Sequence, residues 1–364
     1  MNSHLPEDSP SFRAASETDK DRKPIRIPIG FQVPALAAAL AAAIVVSAAL
    51  GYVRMPASDV ARIIFSGVFN RPDLVEHMDP VAPVVVLDVR LPRILTASLV
   101  GGSLAAAGAV FQGILLNPLA DPYTLGVSAG AAFGASVAIL LNLKFAGVVS
   151  VPIFAFAGAA ATLFFVIYLA SGSGGMSSTH LVLSGIIVAA ILSAALSFLK
   201  YVADEEVGVI IFWLMGSFAS RTWGDALLVL GALAIGMSIF MICGRDLNLM
   251  ALGDRSAASM GVDTRKITII LLVTASLVTA VCVAVSGIIG FVGLLIPHLV
   301  RMATGPDNRR LLPVAMLTGA LMLLAADTTT RALLPQEIPI GVLTALIGGP
   351  FFCYVFRRHQ LGRK

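Results

Sequence analysis

Charged side chains are scarce in this sequence, and their scarcity limits the classes of protein to which the chain can belong. Only 13% of its 364 residues are Asp, Glu, Lys or Arg, whereas 57% are hydrophobic. A soluble domain has about 25% charged residues, so this chain has too few polar groups to cover itself in water. Lipid must therefore be the solvent for most of it. The net charge of +4 is scattered between apolar runs, which excludes a basic nucleic-acid-binding surface.

Cysteine is rare as well, and its spacing excludes two further kinds of site. Cys243, Cys282 and Cys353 lie far apart in the chain. They have neither the paired spacing of metal ligands nor the pattern of a disulfide framework. We expect them to be small hydrophobic side chains, and we predict no metal site and no cofactor.

The sequence also lacks a phosphate-binding loop. No Gly-x-x-x-x-Gly-Lys-Ser/Thr pattern occurs, so the chain has no P-loop with which to hydrolyse ATP. The apolar runs contain few ionisable residues, and a proton- or sodium-coupled carrier needs such residues as a relay. We therefore predict no catalytic residue and no enzyme activity, and uphill transport would take its energy from another subunit.

Long apolar runs are what the sequence does contain, and they are continuous, unlike the alternating segments of a β-barrel. A membrane-spanning helix needs about 20 mostly apolar residues. No charged residue occurs from Phe145 to Leu199, so a turn at Gly172–Gly175 must divide that stretch into two spans. The sequence predicts an all-α polytopic membrane protein with about ten transmembrane helices, at 31–53, 92–113, 123–142, 147–170, 178–199, 224–243, 267–285, 286–302, 311–327 and 339–356.

Three regions follow from this pattern. Residues 1–29 are polar and lack apolar periodicity, which is typical of a disordered tail. Residues 30–358 form the membrane domain, with two amphipathic pieces expected between 54 and 90. Residues 359–364 form a short C-terminal tail. The first apolar run is as long as a full span and longer than the apolar core of a signal peptide, so we predict an uncleaved helix.

The distribution of Lys and Arg indicates the orientation. With both termini in the cytoplasm, 16 of these residues lie inside and 9 outside, as the positive-inside rule expects. The chain is thus predicted to be a multi-pass protein of a cytoplasmic membrane, with both termini inside.

Two groups of arginines on the predicted outer side are candidates for a binding role: the pair Arg90 and Arg93, and the single residue Arg331. Arg90 and Arg93 flank Pro92 at the predicted outer mouth of the second span, where Pro92 suits the first turn of a helix. Cations kept there suggest a partner's carboxylates, which suit the planar fork of arginine. The alternative is that both side chains extend to lipid phosphates. Arg331 is the other exception, and it would either face a partner or pair with Asp327 one helical turn earlier.

The predicted cytoplasmic loop at 245–266 is the third candidate. Connections between bundle helices usually have about 2–8 residues, so this one is unusually long. Its apolar residues predict a short amphipathic helix across the inner face. Small residues in it would let another protein approach closely, whereas the alternative is an ordinary connector. The residues singled out here are Leu252, Gly253, Ala257 and Gly261. Elsewhere, the four-residue spacing of Gly126, Gly130 and Gly134 predicts close helix packing in lipid.

Several long stretches together resemble one family. They are RLPRILTASLVGGSLAAAGAVFQGILLNPLADPYTLGVSAGAAFG, LNLMALGDRSAASMGV, SGIIGFVGLLIPHLVRMATGPDNRRLLPVAMLTGA and ADTTTRALLPQEIPIGVLTALIGGPFF. In this order they resemble FecCD-type permeases, the membrane subunits of ATP-binding-cassette (ABC) importers for iron-siderophores, haem and cobalamin. The resemblance covers about residues 30–358.

The resemblance implies a type II importer permease that works by alternating access in a prokaryotic inner membrane. It implies a homodimer, formed through spans 178–199 and 339–356, with two ATPase subunits and a periplasmic or lipid-anchored substrate-binding protein. Arg90, Arg93 and Arg331 would meet glutamates of the binding protein, and the 245–266 loop would contact the ATPase. The cytoplasmic end of the pathway would be narrowed by Asn117, Leu119, Ser178 and Thr179.

Three hypotheses for the function remain open at this point. The first is an importer permease for a metal chelate, for which we favour a ferric-siderophore over haem or cobalamin. The second is an ion-coupled secondary transporter, which the shortage of buried charge disfavours. The third is a passive channel or scaffold, which would not account for the long cytoplasmic loop.

Overall fold

The structure is a computed structural model that describes residues 29–51, 55–143, 150–171, 177–332 and 336–361. The predicted N-terminal tail up to residue 28, the Gly172–Gly175 turn and residues 362–364 lie outside these ranges. The described residues form fourteen α-helices and no strand: α1 (Ile29–Ala49), α2 (Ala57–Phe69), α3 (Val81–Ile114), α4 (Val127–Leu140), α5 (Ser150–Ala170), α6 (Ser178–Val202), α7 (Val207–Leu214), α8 (Trp223–Ile242), α9 (Gly244–Met250), α10 (Asp254–Ser259), α11 (Thr264–Ser286), α12 (Val292–Thr304), α13 (Asn308–Ala332) and α14 (Ile340–Leu361).

Each of the ten predicted spans corresponds to one of these helices. Within the described ranges, seven helices are long and apolar enough to cross a membrane, namely α1, α3, α5, α6, α8, α11 and α13. The other three spans are the shorter apolar helices α4, α12 and α14. The prediction of an all-α polytopic membrane protein is therefore confirmed.

Helix α3 is the centre of the molecule, because it is buried on almost every side by α8, α11, α12 and α13. Its neighbours approach so closely because glycines replace side chains at the crossings. Gly101 lies against the backbone of Gly319 in α13, and Gly108 lies against the backbone of Gly293 in α12. A helix that is apolar on all sides and rich in small residues is typical of the interior of a membrane bundle.

The predicted packing role of the regularly spaced glycines is confirmed for two of the three. Gly130 and Gly134 of α4 lie against the backbone of Gly158 and Phe154 in α5. Gly126 instead precedes α4 with a positive φ of 75°, a conformation that glycine adopts without strain. Gly126 thus sets the direction of the chain as it enters α4.

Helix α3 begins eleven residues before the predicted start of the second span, which corrects the prediction for Pro92. The residues Val85–Arg90 are π-helical and lead directly into the α-helical turns that begin at Leu91. In a π turn the hydrogen bonds join residues five positions apart, and this wider turn accommodates Pro92, which has no N–H group to donate. Arg93 therefore lies well inside a helix, and the prediction that the second helix begins at Pro92 was wrong.

Two irregular segments lie among the helices that surround α3, and both are partly buried. One, residues 115–126, connects α3 to α4, and the other, residues 287–291, connects α11 to α12. Gly293 follows the second segment and contacts both Pro122 and the interior of α3. Non-helical backbone at membrane depth is tolerated where protein surrounds it. These segments explain why α4 and α12 are shorter than the predicted spans.

Two shorter helices flank the bundle. Helix α2 confirms the first of the two amphipathic pieces expected between residues 54 and 90, and it buries Val60 and Ile63. The second piece is only a 3-10 turn, Pro72–Leu74, followed by the first turns of α3. Helix α7 was not predicted, because eight apolar residues are too few for a span.

Candidate functional sites

The three arginines singled out in the sequence lie together at one end of the bundle, here called the arginine end. Arg90 and Arg93 come from α3 and Arg331 comes from the last turn of α13. Asp327 of α13, whose side chain is only 1% exposed, lies between Arg93 and Arg331. We refer to Asp327 and the three arginines as the arginine cluster.

Asp327 pairs mainly with Arg93 rather than with Arg331. Arg93 donates to one carboxylate oxygen from Nε and NH2, at 3.0 Å and 2.9 Å. The Nε atom of Arg331 is 3.8 Å from the other oxygen, which is too far for a hydrogen bond. The expected pair along one helical turn is thus only a long ion pair, and a bond between two helices takes its place.

The end of α1 holds the other two arginines through backbone carbonyls. Arg90 donates to the carbonyl of Ala48 at 2.6 Å. Arg331 donates to the carbonyl and hydroxyl oxygens of Ser47, at 2.8 Å and 2.9 Å, and to the carbonyl of Leu50. The last carbonyls of a helix have no partner within the helix and attract cations. The cluster therefore ties α1, α3 and α13 together.

Glu337 is a member of this site that the sequence analysis did not single out. Its carboxylate lies 3.1 Å from NH1 of Arg93. Arg93 is 13% exposed and Glu337 is 51% exposed, so Glu337 covers the outer side of the guanidinium. The sequence contains no signal for it, because its pairing with Arg93 exists only in the folded chain.

The opposite end of the bundle, here called the loop end, contains residues 245–266, which were predicted to contact an ATPase subunit and are here called the coupling region. The 245–266 region forms α9 and α10 rather than one helix. Leu252 is exposed, and both Gly253 and Gly261 have positive φ angles and open space around them. Ala257 is fully buried against Met250 and Val262, so its place on the expected contact surface was wrong. It anchors α10 instead.

An asparagine network fixes this coupling region to the start of α13. The side-chain oxygen of Asn248 in α9 accepts from the backbone N–H and the side-chain amide of Asn308, at 2.8 Å and 2.9 Å. Its amide donates to Asp307 at 2.7 Å. None of these three residues was predicted. The 25-residue helix α13, about 37 Å long, thus joins the coupling region to the arginine cluster.

Four residues were predicted to narrow the cytoplasmic end of the pathway and are here called the gate residues. Three of them lie together at the loop end. Asn117, Ser178 and Thr179 line a cavity of about 380 Å³ whose other walls are apolar. Leu119 does not line it, and its backbone N–H donates to the side chain of Asn117 at 2.9 Å. The structure therefore brings the two gate segments together and assigns Leu119 a different place.

A second, larger cavity of about 650 Å³ lies where α7, the 287–291 segment and α14 meet. Its lining is almost entirely apolar. Backbone hydrogen bonds join these walls, since the N–H groups of Ile340 and Gly341 donate to the carbonyls of Gly216 and Met215. The lining residues are Leu214, Met215, Ile288, Gly290, Gly341, Val342, Ala345, Leu346 and Pro350.

One hydrogen bond links the irregular segments that contribute residues to the two cavities. The hydroxyl of Tyr123, in the segment that also contains Asn117, donates to the carbonyl of Ile289 at 2.9 Å. Tyr123→Phe should leave that carbonyl without its donor, at a cost of about 1–3 kcal/mol. We expect a lower melting temperature of the purified protein. The exposed Tyr168 of α5 provides the control, because Tyr168→Phe should change nothing. Equal melting temperatures for both variants would contradict this contact.

Comparison with known proteins agrees with this arrangement. The family model of the FecCD transport family matches residues 39–358. The cobalamin import permease BtuC of Halobacterium salinarum is 43% identical over 77% of this chain and 75% of its own length. The hemin transport permease HmuU of Yersinia pestis is 40% identical over 75% of this chain and 83% of its own.

A solved structure is similar over almost the whole chain. It is described as an inward-facing conformation of a metal-chelate type ABC transporter, and it is 35% identical in sequence. The match has a TM-score of 0.78 and covers 90% of this chain and 98% of the other. The type II importer permease fold and the relatives agree, and the chain therefore belongs to the FecCD transport family of ABC-transporter permeases.

Proposed function

We propose that this chain is the membrane-spanning subunit through which an ATP-driven importer translocates a metal chelate by alternating access. Helix α13 carries the proposal, because its two ends contact the arginine cluster and the coupling region. Force applied at one end of a rigid helix is transmitted to the other. A partner at each end would thereby control the two mouths of one pathway, which is what alternating access requires.

The orientation that we propose rests on the basic residues of the chain. The excess of Lys and Arg at the loop end and near both termini supports a cytoplasmic location for these parts. The arginine end then faces outward, where a soluble or lipid-anchored binding protein would dock with its glutamates. The loop end would contact two ATPase subunits through Leu252 and the open surface around Gly253 and Gly261. ATP hydrolysis belongs to those subunits.

Homodimer formation would use helices α6 and α14. Both expose large apolar side chains in the isolated chain. A second copy packed against them would enclose a pathway between the two 650 Å³ cavities, with a cytoplasmic gate at Asn117, Ser178 and Thr179. The large exposed apolar residues of these helices are Leu183, Ile186, Ile187, Ile191, Phe198, Tyr201, Val202, Leu346, Ile347, Phe351 and Tyr354.

The source of energy separates this proposal from an ion-coupled secondary transporter. We would reconstitute the complex, copurified with its ATPase from the source cells, into proteoliposomes. Uptake should require ATP and should continue after an uncoupler has collapsed the proton gradient. Uptake that stops with the uncoupler and ignores ATP would favour the secondary transporter.

The substrate that we infer is a ferric-siderophore, with haem and cobalamin as the alternatives. Relatives of similar identity are named for different cargoes, and none of the described residues that line the apolar cavity is charged, so none of them selects one cargo. Selectivity would then be decided by the binding protein. Binding of ferric-siderophores, haem and cobalamin to the binding protein recovered with the complex tests this directly, and tight binding of haem or cobalamin alone would replace our first choice.

The docking role of Arg93 can be tested without reversing a charge. Arg90 is buried against a helix end, so a glutamate there would disturb folding and docking together. Arg93→Lys keeps the charge beside Asp327 but loses the planar fork, which bonds Asp327 through Nε and NH2 and leaves NH1 for a second carboxylate. We expect the affinity of the complex for its binding protein to fall about tenfold, which corresponds to about 1.4 kcal/mol.

The control for this experiment is Arg71→Lys. Arg71 lies near the same end of the bundle and pairs at 2.9 Å with the exposed Asp73, whose pKa its hydrogen bond lowers. The same substitution there should leave the affinity unchanged. An equal affinity for wild type and Arg93→Lys would contradict the docking role.

A further inference from the structure

Glu337 occupies the position on Arg93 that an incoming carboxylate would need. The buried side of the guanidinium is bonded to Asp327 through Nε and NH2. Its remaining nitrogen, NH1, is paired with Glu337. Little of Arg93 is exposed in this conformation, so a partner's carboxylate can reach it only by displacing Glu337. Because Glu337 is half exposed, water already competes for it and its displacement is easy.

The short segment that carries Glu337 leads directly into a wall of the larger cavity. Helix α14 begins three residues later, at Ile340. Its first residues donate hydrogen bonds to Gly216 and Met215, and Gly341 and Val342 line the cavity. A movement of Glu337 would therefore act on the start of α14, next to the backbone contacts that join the cavity walls.

The arginine cluster has a second bonding arrangement close to the one observed. Among the residues that the structure describes, the buried Oδ2 atom of Asp327 and the buried Nε atom of Arg331 have no hydrogen-bond partner. They lie 3.8 Å apart, so a shift of less than 1 Å would bring them into hydrogen-bond range. Buried polar atoms without partners are rare in native structures and call for an explanation. A cluster that alternates between two arrangements would give one.

We propose that Glu337 is an internal substitute for the binding protein's carboxylate. It pairs with Arg93 while no binding protein is docked, and docking displaces it. Displacement frees residues 336–339, shifts the cluster toward the Asp327–Arg331 pair and loosens the first turn of α14 beside the cavity. This inference rests on the proposed docking role of Arg93 and adds to it the step that transmits docking to the pathway.

Glu337→Gln in the full complex tests the inference. The neutral side chain keeps the size of glutamate but competes less for Arg93. We expect the binding protein recovered with the complex to bind about two- to fivefold more tightly, since a pair with a half-exposed partner is weak. ATPase activity without the binding protein should also rise toward the stimulated level, because part of the docking signal is already released.

The matched control is Glu76→Gln. Glu76 is exposed near the same end of the bundle, so the substitution removes the same charge without touching Arg93. General attraction of an acidic partner would change equally in both variants. An equal shift in affinity and in ATPase activity for the two variants would overturn the inference.

The loosening of α14 beside the cavity gives a readout that does not depend on the binding protein. In a Cys353→Ser background, Ala345→Cys places a thiol in the cavity lining. Its reaction with a water-soluble maleimide should become severalfold faster with Glu337→Gln and remain unchanged with Glu76→Gln. Unchanged labelling with both variants would overturn the transmission to α14.

The outcomes also separate this inference from the docking proposal. If Arg93→Lys weakens binding and Glu337→Gln has no effect, docking stands and the substitute role fails. If Arg93→Lys leaves binding unchanged, the docking proposal fails, and the substitute role fails with it.

Discussion

Alanine in place of Gly108 is expected to destabilise the folded permease more than any other single methyl group added to a helix of the bundle. A Cβ at this position would overlap the carbonyl group and the Cα of Gly293. Neither obstacle is a flexible side chain, so α3 and α12 would have to separate. Overpacking of a well-packed core costs about 1–3 kcal/mol, and occasionally more. Because this clash is with backbone, we expect a loss of at least about 3 kcal/mol.

Gly231→Ala is the matched control for this prediction. Gly231 is also inside a membrane helix, α8, but nothing lies within 4 Å of its ideal Cβ. The two variants would be compared by folded yield on size-exclusion chromatography and by melting temperature in detergent. Gly108→Ala should lose yield and melt lower, and Gly231→Ala should match the wild type. A wild-type melting temperature for Gly108→Ala would mean that α3 and α12 do not approach this closely.

Composition and hydropathy were sufficient to predict the class of fold and the number of spans, because lipid imposes a minimum length on each apolar run. The ends of the spans were less predictable. The second irregular segment contains Ile288, Ile289 and Phe291, and hydropathy assigns such residues to a helix in lipid. They are irregular here because protein surrounds them and supplies partners such as Tyr123 for their backbone.

The functional residues divide in the same way. Arg93 and Arg331 could be singled out because they break the charge bias of the chain, and the resemblance indicated which partner they would face. Glu337 could not be, since its meaning depends on Arg93, 244 residues away in the sequence. Asn248 is similar, because only folding brings it to the start of α13. Ala257 is the opposite case. Its small side chain suggested a contact surface for another protein, but the folded chain buries it against Met250 and Val262.

Loss of the Asp327 charge is the other prediction with a large expected effect. Asp327→Asn leaves Arg93 and Arg331 largely buried, with no carboxylate between them. Removal of one partner from a buried ion pair costs about 3–5 kcal/mol, a large part of the roughly 5–15 kcal/mol that holds a typical protein together. We expect a much lower melting temperature and a low folded yield. Asp88→Asn, at an exposed position of α3 near the same end, should behave like the wild type.

A double variant then separates folding from docking. Arg93→Met combined with Asp327→Asn removes both partners of the buried pair, and such replacements are often neutral for stability. Arg90 and Arg331 would still be held by the carbonyls at the end of α1. We expect the double variant to regain most of the melting temperature that Asp327→Asn loses, yet to bind the binding protein at least tenfold more weakly than the wild type. A double variant as unstable as Asp327→Asn alone would show that Asp327 stabilises the fold through Arg331 rather than through Arg93.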